Sequence, residues 1–202
     1  MKNLLQKYNI DKFYPYLLTF LASIGLIAAF VLTIEKIELI KNASYTPTCN
    51  INPILSCGSI MKTAQAAVFG FPNSLIGIAG FAIVITVGMG LIAGAKFKRW
   101  YMIGLEIGSL LGLLFVHWLF YQSVFIIGAL CPYCMVVWTV TIPIFIYTTF
   151  YNLSIGVLKP PKSLTKLVAI LQNHRFSVLL VWYGILFGII LYQFWSFWDS
   201  LI

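Results

Sequence analysis

Trp100–Leu153, WYMIGLEIGSLLGLLFVHWLFYQSVFIIGALCPYCMVVWTVTIPIFIYTTFYNL, decides the fold. It carries one acid, Glu106, and no lysine or arginine. A helix crosses a bilayer with ~20 mostly apolar residues, and this run is more than twice that long. It therefore reads as two spans, Trp100–Tyr121 and Pro132–Leu153, joined by an uncharged connection. At the mouth of the second span stands Cys131-Pro-Tyr-Cys134. A C-x-x-C spacing closes a small disulfide ring that is readily reduced and reoxidised.

Outward from that run, three more segments have the length and apolarity of spans: Phe13–Ile34, Ser74–Gly94 and Phe176–Trp198. None carries a charge. The fold class is thus an all-α integral membrane protein with five transmembrane helices. The 202 residues are 61% hydrophobic and 9% charged, against about 25% charged in ordinary soluble domains. The first apolar run is longer than a signal-peptide core and lacks a clear small-residue cleavage site, so it reads as a retained span.

The net charge of +8 does not indicate a nucleic-acid partner, because the basic residues sit in short segments between spans. Lys2, Lys7 and Lys12 precede span one. Lys96, Lys98 and Arg99 separate spans two and three. Lys159, Lys162, Lys166 and Arg175 separate spans four and five. Only Lys36, Lys41 and Lys62 lie on the other side. This bias predicts a multi-pass protein of the cell membrane with its N-terminus in the cytoplasm. All four cysteines are then extracytoplasmic, on the oxidising side where disulfides persist.

The loop Glu35–Asn73 is the one long segment outside the membrane. Its first part is rich in Asn, Thr, Pro and Ser and reads as irregular. Gly58–Phe69 reads as a short surface helix, and Gly70-Phe-Pro-Asn73 turns the chain into span two. Lys159-Pro-Pro-Lys162 is a stiff turn, and Ser163–Gln172 a short interfacial helix. Gln122 and Ser123 should begin the turn after span three. Small residues four apart (Gly104, Gly108, Gly112; Gly90, Gly94; Gly184, Gly188) suit close helix packing within the bundle. Aromatics at the span ends form an interfacial belt.

The only other cysteines, Cys49 and Cys57, lie in that loop. Pro132 suits the first helical position, which needs no N–H donor. Cys131 then caps the helix and Cys134 stands at its third position. Free N–H groups at a helix start stabilise a thiolate. Structural disulfides and a zinc site are the competing readings. Adjacent turns of one helix need no staple, and a Cys49–Cys57 separation of eight lacks the tight spacing of a zinc ribbon. Redox chemistry with no metal is therefore preferred. The loop pair, read as mobile, could meet a soluble partner and pass electrons to the fixed pair.

The order of features resembles the vitamin K epoxide reductase family, in particular its bacterial homologues. The loop pair comes first, then a short helix, then Phe71-Pro-Asn-Ser-Leu-Ile-Gly77 opening a span, then C-x-x-C opening a later one. The likeness covers roughly Phe13–Leu153. It implies a four-helix bundle around a quinone (ubiquinone, menaquinone or phylloquinone), with residues 1–153 as the bundle domain and 154–202 as an inner loop and fifth helix. It implies that Cys134 forms the quinone-linked species and that Cys131 resolves it. Cys57 would exchange with Cys131, and Cys49 would meet the partner. Asn73 would hydrogen-bond the quinone, and Thr63, or alternatively Ser59, would supply a small hydroxyl. Trp138 stands where some members carry a tyrosine.

Many bacterial members carry a fused thioredoxin-like domain, so the expected partner is a separate thioredoxin-fold protein. The C-terminus shows no lysine-based retrieval signal, which disfavours an endoplasmic-reticulum enzyme. The function implied is oxidation of a partner dithiol with reduction of a membrane quinone, supporting disulfide formation. The alternatives are reduction of a quinone epoxide, or a small transport or assembly protein with structural disulfides. Two ionisable residues lie in span three, where such groups are functional candidates by default. Glu106 can reach the interface or Arg99 and reads as a packing residue of the bundle, and His117 should be a bonded bundle histidine. They are ~16 Å apart along the helix, too far to pair. Pro143 should kink span four.

Overall fold

The computed structural model describes residues 2–42, 44–161, 165–195 and 199. Among them no strand forms, and five helices are long and apolar enough to cross a membrane. These are α1 (Lys2–Lys41), α3 (Asn73–Ile92), α4 (Arg99–Tyr121), α5 (Pro132–Ser154) and α7 (Arg175–Gln193). Two short helices, α2 (Cys57–Met61) and α6 (Thr165–Asn173), lie between them. The end of the expected fifth span, Ser196–Trp198, lies outside the described residues, as do Lys162 and the Ser163–Leu164 start of the expected interfacial helix.

Helix α1 packs along α3 and α5, and α5 packs along α4. Helix α7 leans more lightly on α5. Close approach of α1 and α3 depends on glycine. A Cβ on Gly88 would lie 2.3 Å from Thr19 Oγ1, and one on Gly25 would lie 2.5 Å from the Phe81 ring. The expected small-residue seams differ. Gly104, Gly108, Gly184 and Gly188 face open space, and of the α4 trio only Gly112 meets a neighbour, Thr141 Cγ2 at 3.8 Å. In lipid a small residue permits close approach without compelling it.

Three element boundaries also differ from expectation. Helix α1 runs on through Glu35 to Lys41, because Glu-Lys-Ile-Glu-Leu-Ile-Lys contains no breaker. An exposed Lys41–Glu38 ion pair of 2.8 Å marks its last turn. Gly58–Phe69 is two pieces, α2 and a 3-10 turn over Ala64–Ala67, separated at Thr63, whose backbone is extended. After α4 the helix does not turn out at Gln122. It continues as a π-helical turn, Gln122–Ile127. Gly128, at φ 69° in the left-handed region, ends it.

The intramembrane polar residues are bonded between helices. Glu106 accepts from Thr149 Oγ1 (2.6 Å) and Asn152 Nδ2 (2.8 Å) on α5 rather than turning to Arg99. Tyr14 Oη and Thr148 Oγ1 are 3.0 Å apart, joining α1 to α5. His117 Nε2 accepts from Trp182 Nε1 at 3.0 Å, so its Nδ1 carries the proton given to Leu113 O at 2.8 Å. Helix α5 is continuous through Pro143. Proline deprives the carbonyl four residues earlier of its helical donor. That carbonyl, Thr139 O, accepts the Tyr183 hydroxyl of α7 at 2.5 Å.

Candidate functional site: a sulfur relay at one end of the bundle

Cys49 and Cys57 form a disulfide, whereas Cys131 and Cys134 are free thiols. Cys57 Sγ lies 3.0 Å from Cys131 Sγ, and both residues are fully buried. The backbone brings these distant cysteines into register. Leu55 pairs with Leu130 in an isolated parallel bridge. Ser56 N donates to Leu130 O at 2.9 Å, and Leu130 N donates to Ile54 O at 2.7 Å. The residues that follow Ser56 and Leu130 are Cys57 and Cys131, each at the start of a helix.

Local side chains shape the loop that carries the disulfide. Asn52 Oδ1 accepts from Ile54 N (3.0 Å) and Leu55 N (2.7 Å), folding the Pro53 turn. Ser56 caps α2 by accepting from Ser59 N at 3.2 Å. Asn50 Oδ1 accepts from Gly58 N at 2.9 Å. Past Lys41 the described residues up to Pro53 form no helix or strand, as expected, and the segment is nonetheless closely hydrogen-bonded.

The far side of the loop is tied to α1. Glu35, 5% exposed, accepts from Thr48 Oγ1 (2.6 Å) and Tyr45 Oη (3.0 Å), and from Thr48 N at 3.4 Å. The carboxylate holds the Tyr45 phenol above its ordinary pKa. Next to it, Lys36 Nζ donates to Met61 O, the last carbonyl of α2, at 2.5 Å. Neither residue stood out in the sequence. A charge just past an apolar span ordinarily reads as a solvated end, and only the burial of Glu35 shows otherwise.

Cys131 caps α5, and its sulfur accepts from Cys134 N at 3.4 Å. The Cys134 thiol hydrogen bond holds the Cys131 thiol below its ordinary pKa; burial opposes this, and the N–H groups of Cys134 and Tyr133 add to it. Cys49, Cys57 and Cys131 sulfurs lie within 4.8 Å of one another. Two of the three, Cys49 and Cys57, are joined in the disulfide, and the third is the Cys131 thiol.

Trp138 follows Cys134 by one helical turn and packs in the same apolar cluster, with Phe120 edge-on at 5.2 Å between ring centroids. It is 6% exposed, and its Nε1–H has no hydrogen-bond partner among the described residues. Thr63 and Asn73 stand further along the loop. Thr63 Oγ1 donates to Ile60 O at 2.7 Å. Asn73 Nδ2 donates to Gln65 O at 2.7 Å, and its Oδ1 accepts from Val68 N at 3.2 Å. The Asn73 bonds hold the 3-10 turn against the start of α3, whereas the Thr63 bond ties back to α2. A separate cavity of about 710 Å³ lies between α4 and α7, walled by His117, Phe120, Trp182 and Leu186. It shares Phe120 and Leu186 with the cluster around Trp138.

Comparison with curated proteins gives no match. The sequence family described as the vitamin K epoxide reductase family matches over residues 16–149, a stretch that contains all four cysteines and stops inside α5. More than half of the chain lies in that match, and the chain belongs to the vitamin K epoxide reductase family, whose chemistry is that of membrane disulfide oxidoreductases.

Proposed function

We propose that this protein oxidises the dithiol of a thioredoxin-fold partner and passes the electrons through Cys49–Cys57 and then Cys131–Cys134 to a membrane quinone. The observation that carries this reading is the 3.0 Å separation of Cys57 Sγ from Cys131 Sγ while Cys57 is still bonded to Cys49. A sulfur so placed needs little movement to exchange partners. In the forward direction the Cys57 thiolate attacks Cys131 of an oxidised Cys131–Cys134 pair and expels Cys134. Cys49 then attacks Cys57, restoring the loop disulfide and leaving Cys131 and Cys134 as thiols. Loop oxidised and motif reduced, the state in the structure, is what that exchange would yield. A partner thiolate attacking Cys49 opens the loop disulfide again.

Family members act with quinones generally. A carbonyl oxygen suits the surroundings of Cys134, because the buried Trp138 indole N–H has no acceptor among the described residues, a costly state unless a ligand completes it. Asn73 keeps a second amide proton beyond the one given to Gln65. Thr63 orients the turn that Asn73 holds. A bound quinone would accept two electrons and two protons from the Cys131–Cys134 pair. Trp138 and Asn73 would hold its oxygens, and the apolar walls would exclude water. We read residues 1–153 as the catalytic bundle and place the cysteine-bearing end outside the cell, since most basic residues lie at the other end.

The test uses purified protein in lipid with a reduced thioredoxin-fold protein and ubiquinone or menaquinone. Quinone absorbance should fall as partner thiols are lost, two thiols per quinone. A Cys134→Ser protein that still coupled the two would overturn the reading.

A further inference from the structure

Among the described residues, the mechanism above leaves one buried carboxylate unused. Glu35 stands on α1, just beyond the apolar run, and is withdrawn from solvent. Burying a carboxylate is costly unless it is paired or hydrogen-bonded. Its three hydrogen bonds all come from Tyr45 and Thr48, within one turn of Cys49. One residue later, Lys36 holds the end of the helix that begins with Cys57. Adjacent charges on α1 therefore grip the two arms of the disulfide loop separately.

This matters when the disulfide is open. Attack by the Cys131 thiolate on Cys57 Sγ forms a Cys57–Cys131 bond and releases Cys49 as a thiolate, which takes its proton from solvent. No electrons are gained or lost overall. While the Cys49–Cys57 bond exists it holds Cys49 near Cys57 by itself. Once it is broken, what keeps Cys49 within reach is the hydrogen bonding of its own segment. Holding two reacting groups together raises their effective concentration.

We propose that Glu35 is a positioning residue that keeps the Thr48–Cys49 turn docked on α1 while the loop disulfide is open, and so sets the reduction potential of the Cys49–Cys57 pair. The proposal rests on the relay reading for its purpose, but its measurement needs neither quinone nor partner.

The experiment equilibrates the full-length protein, carrying Cys131→Ser and Cys134→Ser so that only the loop pair titrates, with glutathione buffers, and scores free thiols by alkylation. The disulfide-to-dithiol constant is compared in Glu35, Glu35→Ala and Glu35→Gln forms. Loss of the carboxylate should favour the dithiol about tenfold, a potential about 30 mV less negative. Glu35→Gln, which keeps an acceptor oxygen, should fall between. Removing a side chain that only stabilises the fold would lower the unfolding temperatures of the oxidised and reduced proteins equally and leave the potential where it was. An unchanged potential in Glu35→Ala overturns the proposal. If Glu35→Ala does not fold, Thr48→Val combined with Tyr45→Phe removes the side-chain donors instead, and the same shift or its absence decides. Failure of quinone reduction in the unmodified protein would overturn the relay reading and leave this measurement standing.

Discussion

Helices α5 and α7 are both apolar membrane spans, yet they occupy opposite positions in the architecture. The more hydropathic, α7, has 11% of its apolar window buried in protein, against 50% for α5. In water the order would be surprising. In lipid, hydrocarbon tails are as apolar as leucine, so hydrophobicity carries a helix into the membrane without choosing its neighbours. What draws α5 to the centre is its polar content. Thr148 meets Tyr14 of α1, Thr149 and Asn152 meet Glu106 of α4, and Cys131 at its cap meets Cys57. Among the described residues, helix α7 is tied to the bundle by the bonds of Tyr183 to Thr139 O and Trp182 to His117 and by Arg175 over the Tyr147 ring.

The largest expected effect separates the two helices by activity. Replacing either Cys131 or Cys134 with serine should remove quinone-coupled dithiol oxidation to background. Filling the α7 surface, as in Val181→Leu, should leave the turnover rate within about twofold. A severe loss in the α7 variant would break the comparison and draw α7 into the catalytic unit.

Glu106→Leu comes next. It strips acceptors from Thr149 and Asn152 between α4 and α5, and should cost about 1–3 kcal/mol in unfolding free energy. Steric trapping or denaturant titration in detergent would read it. A neutral result would mean that α5 is centred by packing alone.

Tyr183→Phe should cost less, about 0.6 kcal/mol, the average for a hydrogen bond between membrane helices. The loss should vanish in a Pro143→Ala background, because alanine restores the helical donor to Thr139 O. Persistence of the full loss there would show that the hydroxyl matters for another reason.

The smallest effect is a shift of a titration curve. The Cys134 thiol holds the Cys131 pKa down, so the Cys131 thiolate is present at lower pH than for a free thiol. Cys134→Ala removes that donor. The alkylation rate of Cys131, measured against pH after reduction, should then reach half its maximum at higher pH than in the unmodified protein. A half-point that stays or falls would mean that the N–H groups at the start of α5 govern the thiol instead.

Much of this was readable residue by residue. Five apolar runs announced five spans, and Pro132 announced a helix start that left Cys131 at its cap. The π-helical turn after α4 was not readable, since Gln122 and Ser123 are ordinary turn residues and only Gly128 marks where the helix stops. Glycines four apart named possible seams, but in α4 and α7 most of them face open space. The polar residues of the loop announced its irregular backbone but not its hydrogen bonds, whose partners are defined by the folded chain. Asn50, Asn52 and Ser56 accept from backbone N–H groups. Those groups converge only once the loop closes.

The sequence by itself determined the membrane class, the number of spans, the side bias of the basic residues and the chemistry available to four cysteines. These are sums over neighbouring residues, and lipid responds to such sums. Tertiary structure alone decided that Cys57 faces Cys131, because two backbone hydrogen bonds between residues 54–56 and Leu130 set their register. It also decided that Glu35 is buried against the Cys49 turn. Register and burial belong to pairs of segments far apart in the chain, and no local pattern encodes the pairing.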